Sequence, residues 1–98
     1  MLIEKGPDIG DVVTLKLLTS EELIGKLVAE TDTHYSLDRP LTLAVSAKGL
    51  VMQPWLFTVS DSKPIKLPKD KVMVIANTIK EMSDSYLSQT SGIALASA

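Results

Sequence analysis

The chain contains no cysteine and one histidine, His34. The lack of cysteine excludes a disulfide framework, a zinc ribbon and thiol catalysis together. It agrees with a cytoplasmic address, where thiols stay reduced. A single histidine leaves little for acid–base or metal chemistry. No Gly-x-Ser-x-Gly elbow accompanies the serines, so His34 beside Asp32 reads as a turn or surface residue rather than part of a triad. Carboxylates are scattered, without EF-hand or His-rich spacing. The five glycines are dispersed and form no phosphate-cradling loop. No apolar run approaches the ~18–20 residues of a membrane span. The opening Met1-Leu2-Ile3-Glu4-Lys5-Gly6-Pro7 lacks the basic and apolar regions of a secretory signal. Aromatics make up 4% of the chain and the net charge is −2, so any nucleic-acid site must be a local patch. The expectation is a non-enzymatic domain without metal or cofactor.

The sequence has 98 residues, of which 45% are hydrophobic, enough for one small core and no more. Residues 1–10 read as a lead-in with turns at Gly6 and Gly10. From Asp11 to Leu18 the chain alternates, with Val13, Leu15 and Leu17 on one face and Thr14 and Lys16 on the other. Residues 20–30 fit two patterns. Leu23, Ile24, Leu27 and Val28 make a helical stripe, but Gly25 would weaken a helix by about 1 kcal/mol relative to Ala. The strand is the better reading, with Gly25 allowing the sharp bend that small barrels need.

After the turn at Thr31-Asp32-Thr33, Tyr35, Leu37, Leu41, Leu43 and Val45 are expected on one face of a strand. Pro40 lacks a donor, so that strand lies at an edge or is bulged there. Leu50–Gln53 and the aromatic, β-branched run Trp55–Val59 carry strand character, interrupted by Pro54. Trp55 suits either core packing or a partner anchor. Ile65–Leu67 reads as a short strand. Val72–Ala76 is apolar on both faces, which implies burial on both, within the domain or against a partner chain. Thr78 and Glu81 have capping-box spacing, and Ile79, Met82, Tyr86 and Leu87 share a helical face. The expected helix runs over 79–89, followed by a Ser/Ala-rich tail at 90–98. About five short strands, a bent Gly strand and a C-terminal helix predict a small, strongly bent barrel.

From Gly25 onward the pattern resembles the Sm/LSm family of ring proteins. In that family a Gly within a long apolar strand is followed by a loop Asp, a hydrophobic residue and an Asn. Here Gly25-Lys26-Leu27 is followed by Asp32-Thr33-His34-Tyr35-Ser36-Leu37, with Tyr35 as the hydrophobic residue and Ser36 replacing Asn. The second family motif corresponds to Leu67-Pro68-Lys69-Asp70-Lys71-Val72-Met73-Val74-Ile75, with Pro68-Lys69 in place of Arg-Gly. The resemblance covers 11–76. Met52-Gln53-Pro54-Trp55 and the Ser60-Asp61-Ser62 turn make the chain most similar to the Sm-like proteins associated with marine cyanophages.

The resemblance implies a mainly β domain: a five-stranded, SH3-like (Sm-like) barrel over 11–76 with a C-terminal helix. It also implies a homo-oligomeric ring of about five to seven protomers, in which the fourth strand of one pairs with the fifth of the next. The implied role is binding of single-stranded nucleic acid, RNA more than DNA, in RNA or DNA processing. The residues carried over are Asp32, His34, Tyr35, Ser36, Lys69 and Lys71. The expected location is the cytoplasm, that of the host cell for a phage protein. The competing expectation is a structural ring or protein-interaction adaptor that binds no nucleic acid.

Overall fold

A computed structural model describes residues 6–60 and 63–91. The protein is mainly β: six antiparallel strands and one C-terminal helix. The strands are β1 (Val12–Leu17), β2 (Glu22–Glu30), β3 (His34–Ser46), β4 (Gly49–Pro54), β5 (Ile65–Pro68) and β6 (Val72–Asn77). A 3-10 turn at Lys69–Lys71 separates β5 from β6, and α1 spans Lys80–Ser91. The sheet order is β4-β3-β2-β1-β6, with β5 paired to the first residues of β3.

This corrects the expected closed five-stranded barrel. The sheet is open. Among the described residues no ladder joins β6 to β4 or β5, because the 3-10 turn carries the chain from β3 across to β1. Trp55–Val59 also forms no strand. The Trp55 backbone N–H donates to the Pro40 carbonyl at 3.2 Å, and the chain then bends away from the ladder.

Alternation places the core of β1 as expected, with Val13, Leu15 and Leu17 buried. They pack with Leu23, Leu27, Leu37 and Leu67 in one cluster. Each such buried aliphatic side chain contributes about 1.5–3 kcal/mol. Gly25 is the pivot of β2. A Cβ there would lie 3.4 Å from the Leu37 Cβ and 3.5 Å from the Pro40 Cα. The strands therefore approach closely enough that a side chain larger than a methyl group would hold them apart.

Opposite Gly25, β3 carries one extra residue, since Lys26 pairs with Asp38 but Ile24 pairs with Leu41. Arg39 absorbs the bulge at φ 48°, a left-handed conformation that costs a non-glycine residue roughly 1–2 kcal/mol. A one-residue insertion reverses the faces beyond it. Leu41 therefore does not share the face of Leu37 but joins Ile24 and Tyr86 in a second cluster. Val45, expected inside, is 86% exposed.

Helix α1 covers this second cluster. Its residues Met82 and Tyr86 pack on Ile24 and Leu41. The Tyr86 hydroxyl donates to the Asp38 carbonyl and accepts the Lys26 N–H at 3.2 Å. Arg39 Nη1 donates to the Thr90 carbonyl in the last turn, where a cation also suits the helix dipole. The helix begins one residue later than expected and runs on through Ser91. Thr78 lies outside it, and its hydroxyl is paired with that of Thr14 at 2.8 Å. The expected tail beyond Ser91 and the turn residues Asp61 and Ser62 lie outside the described residues.

Strand β6 is not buried on both faces within one chain. An extra residue faces β1 between Val72 and Val74, and the neighbours Met73 and Val74 are 60% and 54% exposed. On the opposite edge, β4 exposes Leu50 and Val51. Both outer strands thus carry exposed apolar side chains and pair on one side only among the described residues.

Candidate nucleic-acid interface

The β2–β3 turn gathers most of the residues expected to bind. Thr31 N–H donates to the His34 carbonyl at 2.9 Å and closes the hairpin. The Thr31 hydroxyl accepts the N–H groups of His34 and Thr33, so Thr31 caps the turn. Asp32 is left exposed at its tip. His34 Nδ1 lies 2.8 Å from the Thr33 hydroxyl, which orients the imidazole.

The ladder between β3 and β5 brings the second segment alongside. His34 pairs with Pro68 and Tyr35 with Leu67. The Lys69 N–H donates to the Thr33 carbonyl at 2.8 Å. Lys69 Nζ consequently sits 5.0 Å from the centre of the Tyr35 ring, a cation–π arrangement. The same ammonium lies 2.6 Å from Glu30 Oε2. The Glu30 carboxylate raises the Lys69 pKa above its ordinary value, with smaller contributions from Tyr35 and Asp32. Glu30 is there because it pairs with Tyr35 across the hairpin.

Asp32, Tyr35 and Lys69 thus gather at one end of the sheet, and His34 lies next to Tyr35 along β3, where successive side chains take opposite faces. Ser36 and Lys71 are not part of its surface. Ser36 is buried, opposite Ala29 on one side and Lys66 on the other. Lys71 is exposed beside a different, apolar cleft of about 220 Å³ that also contains Leu17, Leu18 and Trp55. Its carbonyl accepts the Leu18 N–H at 2.9 Å. Trp55 packs against the first core cluster from its rim, and its indole donates to Glu21 at 2.9 Å. Hydrogen bonds from Thr19 and then Trp55 lower the Glu21 pKa.

Glu30 is the residue that inspection of motifs overlooks. Its only signal is its place opposite Tyr35, and that depends on an extra residue in β2 between Leu27 and Ala29. The arrangement offers one aromatic face, one imidazole and one cation already held by a carboxylate. Among the described residues no three potential metal-binding side chains converge. No helix among them is long and apolar enough to cross a membrane. Compared with known families and curated proteins, the chain matches no family model and no curated sequence.

Proposed function

We propose that this chain is an Sm-like protein. In this reading it assembles into a homo-oligomeric ring of about five to seven copies and binds single-stranded nucleic acid, RNA more than DNA. Its role is in RNA or DNA processing, with no catalytic step and no cofactor. The observation that carries the reading is the open sheet, whose outer strands β4 and β6 are apolar and pair on one side only among the described residues. Unpaired edges invite pairing with another chain. Joining β4 of one copy to β6 of the next satisfies both backbones and covers Leu50, Val51, Met73 and Val74. Rotation closes such a head-to-tail contact into a ring.

Closure repeats Asp32, His34, Tyr35 and Lys69 in every copy. A base stacked on an aromatic ring gains about 1–3 kcal/mol. Phosphate draws Lys69 away from Glu30 and leaves the Tyr35 face to a base. The test is anisotropy of fluorescent uridine-rich RNA, with DNA of equal length, at two salt concentrations. Salt-sensitive binding that disappears in Lys69→Glu and weakens in Tyr35→Leu supports the reading. An intact oligomer that binds neither strand at micromolar concentration refutes the nucleic-acid part.

One observation favours the second reading, a structural ring or adaptor. Lys69 is neutralised by Glu30 and already occupies the Tyr35 face. In that case Lys69→Glu changes nothing, and protein partners dock at the cleft beside Trp55.

A further inference from the structure

The face of the sheet that α1 covers continues past the helix as an apolar stripe that the described residues leave exposed. Between β3 and β4, Leu43 pairs with Met52 and Val45 with Leu50. Directly paired residues share a face, and so do residues two apart. Leu43 and Met52 are half-buried against the Ile24–Leu41–Tyr86 cluster beneath the helix. Val45 and Leu50 carry the same stripe toward the hairpin tip, where they are 86% and 55% exposed. Lys48, at that tip, is the one ionisable side chain between Pro40 and Ser60.

The opposite edge of the sheet carries a matching patch on the same face. Thr14 lies between Ile24 and Ala76, and Lys16 lies opposite Val74, so Ala76 and Val74 also take the helix side. The Thr78 hydroxyl meets that of Thr14, and the Thr78 N–H donates to the Val12 carbonyl at 3.1 Å. Helix α1 therefore starts beside β6, and Ile79, just ahead of it, is 65% exposed. Lys80 pairs with Asp84, which leaves Glu81 as the acid of the first turn.

Both outer strands have six residues. Antiparallel pairing of β4 with the full length of β6 in a second copy sets Leu50 against Ala76 and Met52 against Val74. All four take the helix side, so the sheet runs from copy to copy with every helix on one face. A slip of one residue would break that match. Leu50 of one copy then lies two strand spacings, about 10 Å, from Thr14 of the next, where Thr78 and Ile79 of that copy stand.

We infer that the start of α1 in each copy, through Ile79, covers the Val45–Leu50 pair of the adjoining copy, with Glu81 toward Lys48 of that hairpin. The inference rests on the ring reading above and adds to it a helix-to-hairpin contact that sets the direction and register of the pairing. The two patches are apolar, and the charges beside them are opposite in sign.

The chain has no cysteine, so thiols can be placed in pairs. Leu50→Cys with Ile79→Cys, treated with a bismaleimide of about 10 Å span, should give a ladder of covalent multiples on a denaturing gel. Either single variant should stop at pairs. Both positions are exposed, so the fold tolerates the changes. Leu50→Cys with Leu18→Cys is the control, because the Leu18 N–H donates to the Lys71 carbonyl at the other end of β6. Ile79→Asp should raise the concentration at which the oligomer dissociates about tenfold or more. A ladder from the control pair instead overturns the contact but not the ring. So does the absence of a ladder from Leu50 and Ile79 in protein that light scattering shows to be oligomeric, or unchanged dissociation in Ile79→Asp. Wild-type protein of single-chain mass overturns both.

Discussion

Replacing Tyr86 by Phe removes one oxygen and should cost about 2–3 kcal/mol. The ring is 1% exposed and packs on Ile24 and Leu41, so the substitution leaves the apolar contacts in place. The hydroxyl serves two backbone groups, the Asp38 carbonyl and the Lys26 N–H. Each lost hydrogen bond contributes about 0.5–1.5 kcal/mol, and a buried group left unpaired costs about 1–3. Because α1 has 12 residues and buries little else, it is too short to persist alone. The variant should therefore lose helix signal before the sheet unfolds. Urea titrations followed by far-UV circular dichroism and Trp55 fluorescence read both events.

The same hydroxyl gives the prediction a pH axis. Burial pushes the Tyr86 pKa from 10.0 up to about 12. The folded state holds the proton more tightly, so the stabilisation is fully present below pH 10 and is lost as pH rises toward 12. Two pKa units correspond to at most about 2.7 kcal/mol, and screening by the surrounding solvent reduces this to roughly 1–2. The stability gap between wild type and Tyr86→Phe should narrow across that window, because the variant has no such proton to lose. A gap below about 0.5 kcal/mol at neutral pH, or one that stays constant to pH 12, refutes the docking role given to this residue.

Two further outcomes follow from the bend and the rim. Gly25→Ala should be tolerated within about 1 kcal/mol, since its Cβ meets ordinary van der Waals contacts, whereas Gly25→Val should cost about 2–3 by forcing β2 from β3. Thermal unfolding of both variants measures this, and equal stabilities contradict the close approach. Glu21 has a lowered pKa, so its bond to Trp55 holds above the ordinary glutamate value of 4.5 and is lost as pH falls through the lowered one. Trp55 fluorescence should titrate below pH 4.5, and Glu21→Gln should remove the transition.

Local alternation was a sound guide wherever the ladders run without insertions. Val13, Leu15 and Leu17 face inward as their period-two spacing implies, and Gly25 marks a close approach of β2 to β3. The same reasoning failed for Leu41 because Arg39 adds a residue to β3, and a bulge reverses every later side chain without altering the composition. Trp55–Val59 has strand propensity but no ladder to join. Within the candidate interface, Asp32, His34 and Tyr35 are neighbours in sequence, and their grouping was legible. Lys69 joins them through the pairing of β5 with β3. The burial of Ser36 and the place of Lys71 beside the Trp55 cleft were not legible, because a motif position does not reveal which face a residue takes. Glu30 was invisible because only the hairpin register sets it beside Lys69.

The measurement closest to the central claim is the native mass of the chain by light scattering, with Val74→Lys as its control. Val74 is exposed on the β6 edge, so the charge should spare the fold and oppose pairing with β4. Edge-to-edge assembly predicts a single species of about five to seven times the 10.6 kDa chain, with Val74→Lys falling to one chain mass. Wild-type protein at 10.6 kDa, or an oligomer that Val74→Lys leaves intact, would contradict it.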